Sequence, residues 1–335
     1  MTRANLRDVA ERAGVSVRTV SNVVNAPEVV AAATRERVQR VIDEIGYRPN
    51  IAARQLRRGR GDVIGLVVPE IDSPYFAELA AHVVRAAEEL GWTVLVEQTD
   101  GDPDRERDLL DGARGHGVDG VVFSPWALTP AEVSRRAGAP PVVVLGEQAG
   151  SGHVDRVAID NRAAAREATA HLLAGGRRRI AAVGIQPHLS NQTAGQRLAG
   201  YREALAAAGL AADDALEVPV DRLHHADGVE AMAGLLALPE PPDAVFCFTD
   251  QLALGALRAC AVRGVRVPDD VALVGFDDIE AGRYAVPALT TVAPDKERLA
   301  ELALATLAER MADRSLPGRD LLVPHALVVR ESAPT

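Results

Sequence analysis

Cysteine, lysine and aromatic residues are all scarce in this sequence of 335 residues. The only cysteines are Cys247 and Cys260, too few for a disulfide framework, and this favours a reducing compartment, the cytoplasm. No apolar run approaches the roughly 18 residues needed to cross a bilayer. The first residues also lack the apolar core of a secretory signal. These absences argue against a secreted protein and against a membrane partner.

Positive charge is concentrated at the N-terminal end of the chain. Residues 1–61 contain twelve arginines and six acidic residues, which gives them a net charge of +6. Since the whole chain carries −10, residues 62–335 carry −16. A basic arm on an acidic body is typical of a protein whose arm meets phosphate groups while its body stays dissolved.

The N-terminal part of the sequence has the pattern of three short helices. Asn5 is placed to cap the first helix, with Asp8 as its capping-box partner. Gly14 suits a tight turn, because glycine enters the left-handed region without steric cost. Ser16 is placed to cap the second helix, and the third is predicted from about Thr34 to Ile45. The first two helices and the turn between them indicate a helix-turn-helix.

In such a motif the second helix lies in the major groove and presents its N-terminal side chains to the bases. The later valines of this helix are predicted to face the core, which leaves four side chains for DNA: Val17, Arg18, Ser21 and Asn22. Arg18 can bind guanine through two hydrogen bonds, Asn22 can pair with adenine, and Val17 can touch a thymine methyl. Any helical hairpin shares this pattern, so the pattern alone does not distinguish DNA recognition from simple helix packing.

The rest of the chain divides into a linker and a larger body. Residues 50–61 contain helix formers, but their apolar face is too thin to bury alone, which predicts a linker that folds only when docked. Further on, apolar strands alternate with alanine-rich helices, the pattern of parallel sheets covered on both faces. The predicted strands are Val63–Val68, Thr93–Glu97, Gly120–Phe123, Val142–Leu145, Arg156–Ile159, Ile180–Val183, Ala244–Phe248 and Val271–Val274. This number exceeds one comfortable sheet, so two lobes with a ligand cleft at the strand ends are expected.

Several segments resemble the LacI/GalR family of bacterial regulators. The stretch from Leu6 to Asn25, LRDVAERAGVSVRTVSNVVN, is similar to the family's headpiece signature. Other matching segments are Gly46-Tyr-Arg-Pro-Asn50, Ala53-Arg-Gln-Leu56, Phe248-Thr-Asp-Gln-Leu-Ala-Leu-Gly-Ala-Leu257, Val274-Gly-Phe-Asp-Asp278 and Leu289-Thr-Thr-Val292. The resemblance covers essentially the whole chain and is specific in this combination.

The resemblance implies an α/β protein in three parts. A three-helix helix-turn-helix headpiece at residues 1–49 and a hinge helix or linker at 50–61 precede a two-lobed, periplasmic-binding-protein-like sensor with two parallel sheets at 62–335. Lobe 1 is expected at about 62–160 and 293–320, and lobe 2 at about 161–290 and 321–330.

For DNA binding, the resemblance assigns roles by position. Val17, Arg18 and Asn22 match the base-reading positions, and further residues match positions near phosphates: Asn5, Ser16, Thr19, Ser21, Asn25 and Asn50. Leu56 matches an apolar wedge that enters the minor groove and kinks the duplex. Ala53 is small enough for two hinge helices to approach, and Arg54 and Arg57 lie near phosphates.

One position departs from the family's headpiece. Ala31 stands where the family usually has a serine that caps the third helix. The loss of a cap typically costs about 1 kcal/mol, so we expect a somewhat looser headpiece with its function retained.

For the effector, the family's ligand contacts come from both lobes. In lobe 2, Arg197 and Asp277 match such contacts, and Asp250 is a candidate because it stands just after a strand end. In lobe 1 the candidates are Asp72, Tyr75 and Phe76, which follow the first strand, and Ser124, which follows the third. Packing at a helix start remains the alternative for Tyr75 and Phe76, and helix capping remains the alternative for Asp250. Two positions depart from the family: some sugar-binding members have a carboxylate where this chain has Gly146, and Thr249 stands where an asparagine is common. The resemblance still implies a sugar or sugar derivative first and a purine or nucleoside second.

The sequence therefore predicts a DNA-binding transcriptional regulator, a repressor of sugar uptake or catabolism genes that binds a pseudo-palindromic operator as a homodimer. A solute-binding protein is the first rival, although it would carry an export signal and lack the basic headpiece. No catalytic constellation, cofactor motif or metal site is recognised. The pair His224-His225 has no cysteine or carboxylate cluster at ligand spacing, which predicts a surface loop.

Overall fold

The computed structural model describes residues 4–47, 61–112, 117–136, 140–146, 154–187, 189 and 192–334. The chain divides into two compact units, Met1–Gly61 and Asp62–Thr335. The predicted hinge helix falls outside the described residues, and so do five predicted DNA-binding residues: Asn50, Ala53, Arg54, Leu56 and Arg57.

The headpiece packs three helices around a small apolar core. Its elements are α1 (Leu6–Ala13), α2 (Val17–Asn25), a short 3-10 helix (Pro27–Val29) and α3 (Ala32–Ile45). Each α-helix contributes a fully buried valine to the core, namely Val9, Val20 and Val38. The first two helices and the turn between them form the predicted helix-turn-helix.

Side chains cap the first two helices as the sequence predicts. Asn5 Oδ1 accepts the N–H of Arg7 at 2.8 Å, and the Asn5 N–H donates to Asp8 Oδ2 at 2.8 Å. Ser16 Oγ accepts the N–H of Thr19 at 3.0 Å. These bonds satisfy N–H groups that have no partner inside their helix, so they fix where α1 and α2 begin.

The turn before α2 requires a glycine, and the start of α3 lacks a side-chain cap. Gly14 ends α1 with φ 62°, a left-handed conformation that other residues rarely adopt. Helix α3 begins at Ala32, two residues before its predicted start, and its N-cap Ala31 makes no side-chain hydrogen bond. The cap that a serine would supply is therefore missing, as the sequence predicts.

The described residues of the sensor form twelve strands in two six-stranded sheets. Sheet 1 comprises β1 (Val63–Val68), β2 (Thr93–Gln98), β3 (Gly120–Phe123), β4 (Val142–Leu145), β5 (Asp155–Ala158) and β11 (Asp320–Leu322). Sheet 2 comprises β6 (Ile180–Ile185), β7 (Glu217–Pro219), β8 (Ala244–Cys247), β9 (Ala272–Phe276), β10 (Thr290–Pro294) and β12 (His325–Val328). All eight predicted strands are present within two residues at each end. The sequence pattern missed β7, β10, β11 and β12.

The strand order is β11-β5-β4-β3-β1-β2 in sheet 1 and β12-β10-β9-β8-β6-β7 in sheet 2. Among the strands that the structure describes, every pairing is parallel except that between β10 and β12. Parallel neighbours require crossover connections, and helices supply most of them. The helices of the sensor are α4 (Pro74–Glu89), α5 (Pro103–Gly112), α6 (Pro130–Arg136), α7 (Asn161–Ala174), α8 (Thr193–Ala207), α9 (His225–Leu236), α10 (Asp250–Arg263), α11 (Glu280–Arg283) and α12 (Lys296–Ala312). None of the described helices is both long and apolar enough to span a membrane.

The chain passes between the two lobes three times, where lobe 1 is built on sheet 1 and lobe 2 on sheet 2. The first passage joins β5 to α7, and the second joins β10 to α12, which packs on β3, β4 and β5. The third follows β11, because Asp320–Leu322 pairs with β5 in sheet 1. The last passage therefore lies after residue 322, whereas the expected boundary lay at 320–321, because the short β11 was not recognised in the sequence.

Two glycines allow α9 and α10 to pack with their backbones in contact. A Cβ atom on Gly255 would lie 2.1 Å from the backbone oxygen of His225, and one on Gly228 would lie 2.2 Å from that of Leu252. Atoms cannot approach so closely, so a side chain at either position would force the two helices apart. Gly234, also on α9, has open space around its Cβ position.

We expect Gly255→Ala to destabilise the sensor by about 1–3 kcal/mol, because overpacking displaces a helix. Gly234→Ala is the matched control on α9, and it should stabilise the protein by up to about 1 kcal/mol through helix propensity. Thermal unfolding followed by circular dichroism measures both changes. Equal effects of the two substitutions would contradict the close approach.

Candidate functional site

The N-terminal turn of α2 presents a polar, exposed surface. Val17 is 41% exposed, and Ser16 and Arg18 are also exposed, whereas Val20 and Val23 on the same helix are buried. The buried pair anchors the helix and leaves its first turn facing outward. This is the geometry that base reading in the major groove requires.

The other predicted contact residues of α2 lie further along the helix. Thr19 is half-buried, and its Oγ1 lies 2.9 Å from the capping oxygen of Ser16. Ser21 and Asn22 are half-buried, and Asn25 is the last residue of the helix. Helix α2 therefore gathers one set of predicted DNA contacts on a single element.

The sensor contains a cleft at the carboxyl ends of strands from both sheets. From lobe 1, Glu70 follows β1 and Ser124 follows β3. From lobe 2, Gln186 follows β6, Phe248 follows β8 and Asp277 follows β9. Ligands of open parallel sheets bind at this end of the strands, so the cleft is the candidate effector site.

The lobe 1 wall of the cleft is aromatic. The ring centroids of Tyr75 and Phe76 are 5.1 Å apart, and those of Phe76 and Trp126 are 6.2 Å apart, both in edge-on geometry. All three side chains line the cleft, together with Ser124. A wall of this kind offers apolar faces to a flat ligand or to the C–H face of a sugar ring.

A fully buried carboxylate holds the loop that carries Trp126. Glu106 accepts the backbone N–H of Trp126 at 2.8 Å, that of Ala127 at 3.2 Å and that of Leu128 at 2.8 Å. Burial raises the pKa of Glu106, although these three hydrogen bonds oppose the rise. Glu106 is therefore a positioning residue for the aromatic wall.

The lobe 2 side of the cleft centres on Arg197. Its Nε donates to Asn161 Oδ1 at 2.7 Å, its Nη1 donates to the backbone oxygen of Phe248, and its guanidinium lies 3.4 Å from the ring centroid of Phe276. Arg197 is only 8% exposed. The side chain is thus fixed in place before any ligand arrives.

Asp277 lines the cleft near Arg197 and is 7% exposed. Burial raises the pKa of the Asp277 carboxyl to about 7, and the positive charges of Arg197 and Lys296 limit the rise. A buried carboxylate that ionises near neutral pH can accept hydrogen bonds from ligand hydroxyl groups.

Two of the predicted effector residues lie away from the lining of the cleft. Asp72 is exposed beyond the lobe 1 wall. Asp250 is fully buried, where its carboxyl accepts the N–H of Ile279 at 2.9 Å and the hydroxyl of Thr291 at 2.6 Å. Asp250 joins α10 to the end of β9, and Thr249 supplies the cap of α10.

Among the hydrogen bonds that cross from one lobe to the other, two join side chains at the cleft. His224 Nε2 lies 2.9 Å from Glu70 Oε2, and Gln251 Nε2 donates to Ser73 Oγ at 3.4 Å. The sequence predicted His224 in a surface loop, but its ring is half-buried because it reaches Glu70.

The sequence reasoning missed several lining residues, among them Glu70, Trp126, Asn161, Gln186 and Gln251. All but Trp126 stand near a strand end or at a helix start, so the alternation of strands and helices was the available signal, and Trp126 lies in the loop after β3. That signal gives the position of a residue but does not show which side chain turns toward the cleft.

The two parts of the chain match two described families. Residues 5–50 match the bacterial regulatory proteins of the lacI family, and residues 169–333 match the periplasmic binding protein-like domain. Together with the geometry, this defines a DNA-binding transcriptional regulator with a two-lobed ligand sensor.

Similar proteins extend over the whole chain. It is 34% identical to the HTH-type transcriptional regulator DegA of Bacillus subtilis (strain 168), over 98% of each chain. It resembles a transcriptional regulator CelR–cellobiose complex at 35% identity and TM-score 0.73, over 98% of this chain and 100% of that one. It also resembles the lac repressor dimer bound to operator and the anti-inducer ONPF at 27% identity and TM-score 0.87, over 100% of each chain. The protein belongs to the lacI family of bacterial regulatory proteins.

We expect the stability of the protein to depend on pH through Asp277. Because its folded pKa of about 7 lies above the ordinary 3.8, the folded state holds the proton more tightly than the unfolded state. The stabilisation is present at low pH and is lost as the pH rises toward 7, by about 1.4 kcal/mol per pH unit. Asp277→Asn removes this dependence, so the variant should gain stability relative to the parent between pH 5.5 and pH 8.

Thermal unfolding at the two pH values measures this gain. Asp72→Asn, at an exposed carboxylate, serves as control, and its difference from the parent should be the same at both pH values. If the difference for Asp277→Asn were equally constant, Asp277 would not titrate in this range.

Glu106→Gln should loosen the loop at Trp126, because an amide offers one acceptor oxygen where the carboxylate offers two. We expect a loss of about 1–3 kcal/mol of stability and a red-shifted emission of Trp126. Trp92 is the other tryptophan, so Trp92→Phe provides a background with one fluorophore. Glu97→Gln, at an exposed position, should change neither quantity, and an unshifted emission in Glu106→Gln would refute the positioning role.

Proposed function

We propose that the protein is a homodimeric repressor that binds a pseudo-palindromic operator and is controlled by a sugar or sugar derivative in the cleft. The observation that carries this proposal is the cleft itself, in which an aromatic wall stands opposite the fixed guanidinium of Arg197 and the carboxyl of Asp277. Chromosomal DNA is the target, so the proposed place of action is the cytoplasm.

The DNA side of the proposal rests on α2. Arg18 is exposed in its first turn and carries the donor geometry that matches guanine. Val17 and Asn22 are proposed to read neighbouring bases. The lac repressor relative is a dimer bound to operator. Two-fold symmetry in the protein calls for two half-sites in the DNA, with Leu56 of each hinge proposed as the central wedge.

The ligand side rests on the chemistry of the cleft. Apolar ring faces beside a few fixed polar groups suit a sugar, which has C–H faces and many hydroxyl groups. The CelR relative was solved with cellobiose. Ligand can change the DNA affinity only if it binds the two lobe arrangements with different affinity.

The proposal is tested by selecting operator DNA with the full chain and titrating the complex with cellobiose, a panel of other sugars and a panel of purines and nucleosides. A sugar that shifts the operator affinity supports the proposal. If only purines or nucleosides shift the operator affinity, the effector belongs to that class and not to the sugars. If the chain selects no specific DNA sequence, the proposal that it is a repressor is refuted.

Arg18→Ala should weaken specific operator binding by about 1–3 kcal/mol and relax the base preference at one position of each half-site. Arg40→Ala removes an exposed arginine of α3 and is the control, because loss of a general charge leaves the base preference unchanged. Binding to a set of operators with single base changes measures both. An unaltered preference in Arg18→Ala would exclude Arg18 from the readout.

A further inference from the structure

The turn after β9 has an unusual backbone. Asp277 and the next residue, Asp278, both have positive φ angles, 115° and 48°. Residues other than glycine rarely adopt such angles, and they persist only where the surroundings fix them. The turn presents the Asp277 carboxyl to the cleft, so whatever fixes this backbone also aims the side chain.

Lys296, the only lysine in the sequence, binds the carbonyl oxygens of this turn. Its Nζ donates to the oxygen of Asp277 at 2.7 Å and to that of Asp278 at 3.2 Å. The side chain is 8% exposed, and Nζ lies 6.0 Å from the ring centroid of Tyr75 on the cleft wall. One ammonium group thus holds both carbonyls of the strained turn and lies beside the cleft.

The side chains of the two aspartates are used differently. Asp278 is engaged by two arginines, with Arg283 Nη2 at 2.7 Å and Arg330 Nη2 at 2.6 Å from its carboxyl oxygens. The Asp277 carboxyl lines the cleft, while its backbone N–H donates to Val292 at 2.8 Å. Lys296 therefore binds the backbone of the turn and the two arginines bind the Asp278 side chain, while the Asp277 carboxyl lines the cleft.

Glu78 of α4 connects this arrangement to lobe 1. One of its carboxyl oxygens binds Lys296 Nζ, and the other accepts the N–H of Glu280 at 2.9 Å. Lys296 itself is the first residue of α12, which packs against α4 and on sheet 1. A buried ammonium needs a counter-charge, and Glu78 supplies it from the lobe opposite to the turn.

We infer that Lys296 is a positioning residue for effector recognition: it fixes the left-handed turn that aims Asp277 into the cleft, and Glu78 ties that turn to lobe 1. This inference rests on the proposed function, because it takes the cleft as the effector site. Lys296 and Glu78 belong to lobe 1 and the turn belongs to lobe 2, so any change in the separation of the lobes pulls on the hydrogen bonds that join these two side chains to the turn and to Glu280. The effector-contacting group and the lobe angle are thereby linked through one ammonium.

Hydrogen exchange of the full chain without ligand tests the inference. In Lys296→Met, the amides of residues 277–281 should exchange at least tenfold faster, while those of β12 remain unchanged. Glu78→Gln should also accelerate hydrogen exchange of the amides in the turn. The Glu78 side chain is 31% exposed, so this variant tests the pair even if Lys296→Met folds poorly. Arg298→Met, on the same helix and 55% exposed, should have no effect.

A charge swap separates positioning from simple pairing. Lys296→Glu combined with Glu78→Lys restores an ion pair but places a carboxylate against the two carbonyl oxygens. We expect the amides of residues 277–281 to exchange as fast in this double variant as in Lys296→Met. Full recovery of protection in the swap, or unchanged exchange in Lys296→Met, would overturn the inference.

Cellobiose is then the probe for ligand binding, measured by calorimetry. If it binds the parent chain, Lys296→Met should weaken it at least tenfold and Arg298→Met should not. Equal affinity in the parent and in Lys296→Met would overturn the inference. A parent chain that binds neither cellobiose nor any other sugar would count against the proposed effector, while the exchange result would still decide the role of Lys296.

Discussion

Charged groups buried between the two lobes need charged, polar or aromatic partners, and this requirement organises the cleft. A charge removed from water is costly unless partners surround it. Arg197 is held by an amide oxygen, a carbonyl and an aromatic face, and Lys296 is held by two carbonyls and Glu78. These pairings fix the positions of the polar groups in advance. The cleft is therefore preorganised on its lobe 2 side, which reduces the ordering cost of recognition.

The fold could be predicted from the sequence wherever apolar patterning was strong. The central strands β1, β3, β4 and β8 are buried on both faces and so appear as continuous apolar runs. Two of the four edge strands, β7 and β11, are three residues long and partly exposed, so no apolar run marks them. The resemblance to a family predicted the two-sheet architecture without needing those edges.

The site was less predictable, because it depends on contacts between distant residues. Asp250 and Asp277 are both acidic residues that follow strands, so the sequence pattern treats them alike. Only the folded chain shows that the Asp250 carboxyl is hydrogen-bonded to Thr291 and Ile279, whereas Asp277 lines the cleft. Trp126 likewise owes its place to Glu106, twenty residues earlier. Sequence patterns locate strand ends, but the direction of each side chain is set by such tertiary partners.

The positions of β11 and β12 late in the chain have a consequence for synthesis on the ribosome. Each strand adds the outermost member of a different sheet, at residues 320–322 and 325–328. Neither sheet can be completed until this segment has emerged, so in a nascent sensor β5 and β10 each lack a partner on one side until then. The headpiece, whose core uses residues up to Tyr47, has no such delay. It can close while most of the chain is still being translated.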